Sequence, residues 1–413
     1  MKKKIIKFIK KKSKIYLKML RIYYFINNYI KKNKFIYKIC LFFRREKIKK
    51  YSVLSVWEWC KKNNNPIFLF EPEQVRSILN PSFFEREGLE RIESYVTPAI
   101  YETQLENVCV IGDDDGVLMG EYYLNDKVML EIKNEIDFEK DCIQKWQDDS
   151  CTIIEKKRKK KISVAIRLLG KAANNYYHFV FDILSRMHYI NQMPELDGIP
   201  IIIDETLLWH DVYIKLMKYV TIGQHELIPI TRGDMYEIEK MYYFSPCTWS
   251  AVYNLIKPSR KRAVKPNSIM SFYKNNILPL TKDLKLDYSE KIFCIRGEET
   301  INRLENEKEV ASLCERFGFK LINPGRYSIL EQAAIFNRAK YIMADEGAAL
   351  VNLIYCKEGA TLICIQPKEW DNCVYPTIAN MCNMKCICLD AECTKDRNHL
   401  LDIEYCERFL RSI

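Results

Sequence analysis

The clearest pattern along the chain is an alternation of short apolar runs and amphipathic stretches from Lys291 to Pro367. Ile292–Ile295 has the length and composition of a strand. Val310, Leu313, Cys314 and Phe317 then recur at helical spacing, behind Asn306 as cap and Glu309 three positions on. Gly318 ends that helix. Phe319–Ile322 predicts a second strand, and Ser328 with Glu331 predicts a capping box for a helix reaching Ala339. Tyr341–Ala344 is a third strand, Ala348 to Cys356 a short helix, and Ala360–Gln366 a fourth strand after Gly359. This βαβαβαβ order predicts a parallel Rossmann-like sheet. Gly347 is expected to let the chain turn without a Cβ clash. The helix behind it would aim free N–H groups at the carboxyl edge of the sheet, where phosphate-bearing ligands sit.

A second unit of the same kind begins at Ile162. Ser163–Leu168 predicts a strand, Gly170 a break, and Asn174 or Asn175 an N-cap. Tyr176, Val180, Ile183, Leu184, Met187 and Ile190 form a helical core face, while His178, Asp182 and Arg186 make a polar stripe on another side. That stripe starts at the ligand edge, although an i,i+4 surface ladder would give the same spacing. Ile199–Ile203, a helix from about Asp204 to Val220, and Leu227–Ile230 continue the unit.

Upstream, Ile67–Phe70, Val108–Ile111, Val117–Met119 and Val128–Ile132 read as short strands, after a helix ending over Trp57–Asn65. Asp113, Asp114, Asp115 and Gly116 fit a hairpin turn better than a metal site. Residues 133–161 are highly charged and predict a solvent-facing connector. The segment 258–266, PSRKRAVKP, predicts an exposed basic linker.

With 413 residues, 48% of them hydrophobic, the chain can bury a sizeable core. Its net charge of +11 is uneven: residues 1–50 hold 19 Lys/Arg and one acid, so they carry +18 and the remainder −7. The arm's apolar runs reach five residues, against about 20 needed to span a bilayer. Lys interleaved with Ile, Phe and Tyr suits an anionic membrane surface; a nucleic-acid arm and a solvated tail are the other readings. The 16 cysteines form no regular framework and, with no recognisable signal peptide, are expected as reduced cytosolic thiols. Cys382, Cys386, Cys388 and Cys393 cluster without zinc-site spacing, so buried small residues are the favoured reading and no metal site is expected.

Three stretches carry a resemblance. Asn175-Tyr-Tyr-His178, with Asp182, Leu184 and Arg186, resembles the N-Y-H-W…L-P-R motif of glycosyltransferase family 61. Residues 295–310, IRGEETINRLENEKEV, are similar to its R-x(n)-R-x-x-x-N-E segment through Arg296, Arg303, Asn306 and Glu307. Residues 328–352 are similar to its S-x-x-E-Q…A…H-G-A-G-L-x-N segment. Phe179 stands at the motif's Trp, Ser185 at its Pro, Glu346 at its His and Ala349 at its second Gly. A carboxylate there repels a diphosphate unless it faces a ribose hydroxyl or the acceptor.

The resemblance implies an α/β, GT-B-like fold: two Rossmann-like domains facing a cleft, with a β-rich N-terminal segment and a basic helical arm. The divisions are 1–50 for the arm, 51–161 for the β-rich segment and connector, 162–265 for the first Rossmann-like domain and 266–413 for the nucleotide-sugar-binding one. It implies an inverting transferase using a nucleotide-sugar co-substrate, expected to be a UDP-sugar, and no other cofactor. The acceptor would be a glycan or lipid-linked glycan of capsule or lipopolysaccharide, and the enzyme cytoplasmic and peripheral to the inner face of the membrane. Asp182 or His178 leads as catalytic base, with Glu346 third, and His178 equally suits a donor phosphate. Arg296, Arg303, Arg186, Asn352 and the turn at Gly347, Ala348 and Ala349 are the expected donor contacts. The alternative is a non-catalytic nucleotide- or glycan-binding scaffold. Nucleic acid is not expected as a partner, though the arm keeps it as a third reading.

Overall fold

The computed structural model describes residues 46–86, 93–129, 142–147, 149–156, 159–248, 263–296, 303–395 and 398–413. The basic arm up to residue 45, most of the 258–266 linker, and residues 130–141 of the region read as strand and connector lie outside the described residues.

Two sheets organise the chain. The larger contains β1 (Glu46–Leu54), β2 (Phe68–Glu71), β5 (Ile100–Ile111), β6 (Val117–Met119), β7 (Tyr122–Leu124), β8 (Ile143–Gln147), β9 (Ser150–Lys156), β10 (Lys160–Leu168), β11 (Ile201–Asp204), β12 (Leu227–Ile230) and β13 (Met235–Phe244). Its order is β12-β11-β10-β13-β5-β6-β7-β1-β9-β8, with β2 on β5. The strands β12-β11-β10-β13 are all parallel, a 3-2-1-4 order by chain position. Beyond β13 the sheet turns antiparallel through β5. β3 (Gln74–Ile78) and β4 (Glu93–Thr97) form a separate hairpin.

The smaller sheet, β14 (Lys291–Cys294), β15 (Lys320–Ile322), β16 (Tyr341–Asp345), β17 (Thr361–Gln366) and β18 (Lys385–Asp390), runs β15-β14-β16-β17-β18, all parallel. That is the doubly wound 2-1-3-4-5 order. In both sheets the strand order reverses at one point, and ligand crevices form at the carboxyl ends there. A short ribbon of β19 (Glu392–Cys393) and β20 (His399–Leu400) follows.

The helices are α1 (Val56–Asn63), α2 (residues 176–190), α3 (Asp211–Val220), α4 (Asn267–Ile277), α5 (Glu307–Arg316), α6 (Ile329–Arg338), α7 (Val374–Met381) and α8 (Ile403–Arg411). Most carry local start and stop signals. Ser55 and Glu58 box α1, and Ser328 and Glu331 box α6 as the sequence predicts. Gly318, at φ +79°, ends α5.

Several expectations change. The connector over 133–161 is, from Cys142 onward, largely sheet. Ile143, Cys151 and Ile153 turn inward while charged neighbours face out, an alternation the high charge masks. In place of a strand at Val128, a 3-10 turn spans Asp126–Met129. Burial pushes the Asp126 carboxyl up, and it accepts from Val56 N, Trp57 N, Tyr101 and Tyr243, which anchors the turn. The Asp113–Gly116 segment is the hairpin turn between β5 and β6, with Asp113 paired to Arg232 at 2.8 Å. Asn306 does not cap α5; its side chain brackets the backbone of Leu401 instead. Trp57–Asn65 holds most of α1 itself rather than the end of a longer helix.

The β-rich segment shares one sheet with the first Rossmann-like unit, so no gap in pairing falls at residue 162. The two parallel units also share one apolar core. Phe179, Leu184 and Tyr213 of the first pack in the same cluster as Ile292, Phe336 and Leu353 of the second. A strap ties them again: Ser82–Phe84 lies along the edge of β18, with Phe84 N donating to Cys388 O at 3.0 Å and Cys388 N to Ser82 O at 2.7 Å. Tyr405 and Phe409 of α8 cover Phe84, and Arg408 pairs with Glu85 at 3.0 Å.

Candidate active site

The first half-site lies where the larger sheet reverses, between the carboxyl ends of β10 and β13. After β10 the chain passes Gly170, where a Cβ would come within 2.8 Å of Ile183 Cγ1. The missing side chain lets α2 pack against the strand end. Asn175 caps α2 by accepting from Tyr177 N. The helix opens at Tyr176–His178, widens into a π-helical turn over Phe179–Ile183, tightens at Leu184–Arg186 and resumes at Met187–Ile190. Such π turns are rare and concentrate at functional sites.

That turn holds Asp182. Its Oδ2 lies 2.6 Å from His178 Nδ1, and its Oδ1 accepts from Thr248 Oγ1, in the loop after β13. Burial raises the Asp182 pKa, but the hydrogen bond and charge of His178, the charge of Lys265 and the Thr248 bond outweigh it and hold the group below its ordinary value. The carboxylate therefore takes the Nδ1 side of His178, and Nε2 stays outside that bond. Lys265 donates to Tyr177 OH at 2.8 Å and lies 4.8 Å above the Phe181 ring. Arg186, the third member of the stripe, donates to the carbonyls of Asp182 and Leu169 and is 3% exposed.

The second half-site occupies the reversal of the smaller sheet, between β14 and β16. Arg296 follows β14. Its Nη2 donates to Glu346 O at 2.6 Å and stands 3.1 Å from Asp345 Oδ2, the last residue of β16. A Cβ on Gly347 would fall 2.2 Å from this Nη2. The backbone there is extended at φ 170°, so glycine serves to admit the guanidinium rather than to turn the chain, a correction to the sequence expectation. Arg303 Nη1 pairs with Glu346 Oε2 at 2.9 Å, and Asn372 Nδ2 donates to Glu346 Oε1 at 2.8 Å. His399 Nε2 lies 2.6 Å from Asp345 Oδ1, both side chains being fully buried, with Trp370 edge-on to the imidazole. Glu307 accepts from Arg296 N at 2.8 Å, and burial raises its pKa.

The two half-sites are neighbours. The opening turn of α2 packs against the 3-10 helix Ala348–Tyr355 that follows Gly347. Tyr177 meets Tyr375 edge-on with centroids 6.2 Å apart, and Asn372 connects the start of that same segment to Glu346.

Residues 176–363, a span that holds most of both half-sites but not Trp370, Asn372 or His399, match the family model described as Glycosyltransferase 61. This span is somewhat under half of the chain, and over it the chain is similar to glycosyltransferase family 61. No curated protein matches it. The likeness indicates glycosyl transfer.

On this mixed α/β fold, His178, Asp182, Arg296, Arg303, Glu346 and Gly347 sit at the two sheet reversals, with Ala348 and Ala349 at the start of the 3-10 helix. Two expected donor contacts fall elsewhere. Asn352 is fully buried, and its Nδ2 donates to Gln332 Oε1 at 2.9 Å and Ala349 O at 3.1 Å. It pins the 3-10 helix to α6 inside the core. Arg186 lies behind Asp182, turned to the backbone of β10's exit.

Sequence reasoning passed over Thr248, Lys265, Asp345, Asn372 and His399 as site residues. Asp345 lies inside the 328–352 segment and is within reach. Thr248, Lys265 and Asn372 come from loops and His399 from the short strand β20, and only the strand order brings them in. Among the described residues no helix is long and apolar enough to cross a membrane.

Proposed function

We propose that the protein is an inverting glycosyltransferase that moves a sugar from a nucleotide-sugar, a UDP-sugar by expectation, to a glycan acceptor of capsule or lipopolysaccharide. The observation that carries this reading is the His178–Asp182–Thr248 array, set beside an arginine-bearing sheet edge in a chain similar to family 61.

His178 is the base and Asp182 its orienting partner. Both carboxylate oxygens of Asp182 are engaged, so it is poorly placed to receive a proton from an acceptor. Nε2 of His178 takes the proton from the acceptor hydroxyl as that oxygen attacks the anomeric carbon. The bond from that carbon to the phosphate oxygen breaks on the opposite face, inverting the configuration. Arg296, Arg303 and the first N–H groups of the 3-10 helix stabilise the departing diphosphate. Anionic donor and arginine must first exchange partners, because Glu346 neutralises Arg303 until then. The basic residues up to 45 hold the enzyme at the anionic inner face of the membrane, near lipid-linked acceptors, while Glu46–Lys50 of the expected arm belong to β1.

The test is transfer from a panel of UDP-, GDP- and CMP-sugars to capsule or lipopolysaccharide acceptors, read by mass spectrometry, with and without EDTA. Product from one donor, lost in His178→Ala while nucleotide binding persists, supports the proposal. An unchanged rate in that variant removes His178 as base. The second reading is a non-catalytic scaffold, favoured by the pairing of both arginines with carboxylates. Tight nucleotide or glycan binding without transfer or donor hydrolysis supports it.

A further inference from the structure

Beneath the His178–Asp182 pair lie two arginines that no carboxylate meets in a direct ion pair, although the charge of Asp115 reaches both and the Tyr243 ring lies 5.7 Å from Arg167. Arg167, near the end of β10, and Arg186, one turn past Asp182, are each 3% exposed. Their guanidiniums converge on one oxygen: Leu169 O accepts from Arg186 Nη2 at 2.9 Å and from Arg167 Nη1 at 3.4 Å. The remaining bonds also go to neutral carbonyls, Arg186 Nη2 to Asp182 O at 2.8 Å and Arg167 Nη2 to Asp114 O at 3.1 Å. Nε and Nη1 of Arg186, and Nε of Arg167, have no acceptor.

The acids nearby are spoken for. Asp115 pairs with Lys127 at 2.8 Å and accepts from Lys171 N at 3.2 Å. Asp114 accepts from Gly116 N and Tyr123 OH. Asp182 is bound to His178 and Thr248. The Cys247 thiol beside Arg186 is pushed up to about 12 by burial, against the pull of Arg186, and so supplies no negative charge. Two like charges enclosed together, with donors unfilled, are strongly unfavourable, and such sites are normally completed by an ion or ordered water.

We infer that Arg167 and Arg186 hold a small inorganic anion of the halide class, enclosed between the exit of β10, α2 and the loop carrying Cys247. The charge excess favours an anion over water, and the enclosure excludes a nucleotide. The anion fixes Arg186, and through it the Leu169 and Asp182 carbonyls that hold the π turn in place. It is a structural ligand of the catalytic half-site and does not depend on the transfer reaction proposed above.

The experiment uses the full chain purified in sodium methanesulfonate, then titrated with sodium bromide at constant ionic strength. A saturable rise in Tm with bromide is expected. Crystals grown in bromide should show a bromine anomalous peak within hydrogen-bond reach of Arg186 Nε and Nη1 and Arg167 Nε. Arg167→Met should flatten the bromide dependence while sparing the Arg186 bonds. Arg186→Met should do the same, and if it does not fold, the Arg167 variant and the wild-type crystal still decide. Water at this position with no anomalous signal overturns the inference, whatever bromide does to Tm.

Discussion

The two half-sites occupy equivalent places, each at the point where a parallel sheet reverses its strand order, yet they hold opposite electrostatic states. At the first, one carboxylate is committed to Nδ1 of an imidazole and leaves Nε2 outside that bond. At the second, two arginines are closed onto Asp345 and Glu346. Topology thus fixes where chemistry can gather, while a few side chains decide whether the place is poised or occupied. A carboxylate where the family has histidine turns an anion-receiving edge into a self-paired one.

Breaking the poised site should have the largest effect. His178→Ala is expected to lower kcat by about 10²–10⁴-fold, the usual range for a general base. Asp182→Asn should cost a similar factor, because an amide at Asp182 can donate to Nδ1 and reverse the tautomer. Retained rate with unchanged nucleotide affinity would mean that the pair is a structural bond.

Forcing the second site open from below comes next. Gly347→Ala places a methyl where Arg296 Nη2 now lies and should destabilise the protein by about 1–3 kcal/mol, with weakened nucleotide binding. Thermal unfolding and calorimetric titration of the variant would check both. Releasing it from the side is milder. Glu346→Gln removes the charge that holds Arg303, and nucleotide affinity should rise about tenfold, near 1.4 kcal/mol. Affinity that falls instead would assign Glu346 to the ligand, as a partner for a ribose hydroxyl.

The smallest effect is a difference in pH dependence. Asp182 is held below its ordinary value, so its contribution to stability is present above the unfolded carboxyl range and lost as pH falls through the lowered value. Glu307 is raised by burial, so its contribution is complete below the unfolded value near 4.5 and lost as pH climbs through the raised one. Glu307→Gln should therefore stabilise the protein at pH 8 relative to pH 4, and Asp182→Asn should flatten the acid limb. Tm measured across pH for both variants would show opposite slopes, and parallel slopes would erase the distinction.

Much of this contrast is legible in the chain. The period of apolar residues after Lys291 predicts every strand of the smaller sheet through β17, because β14, β16 and β17 are buried on both faces and read as continuous runs, while the edge strand β15 is marked by the glycine before it. The capping box of α6 and the glycine after α5 are equally local. β13 is harder, since Met235–Phe244 interleaves Glu237, Glu239 and Lys240 on a face that meets solvent. β8 and β9 are hidden for the same reason. At the sites, motif residues are found by type and spacing, but their partners are not. Nothing near Thr248, Asn372 or His399 in sequence announces them; Thr248 and Asn372 are loop residues, His399 opens the short strand β20, and their partners lie 66, 26 and 54 positions away. The Gly347 position is read correctly and explained wrongly, because the guanidinium that needs the space comes from another strand.

The strap at Ser82–Phe84 has a consequence for how the chain is made. Its pairing partner, Cys388, lies about 300 residues later, and the aromatic cover from Tyr405 and Phe409 later still. During synthesis the strap emerges early and waits for nearly the whole chain before it can dock. Contacts of such long separation slow folding and lengthen the exposure of unpaired backbone. The charges at Glu85 and Arg86 keep that waiting segment soluble. Translation of α8 then supplies the aromatic cover that completes the strap's seat on β18.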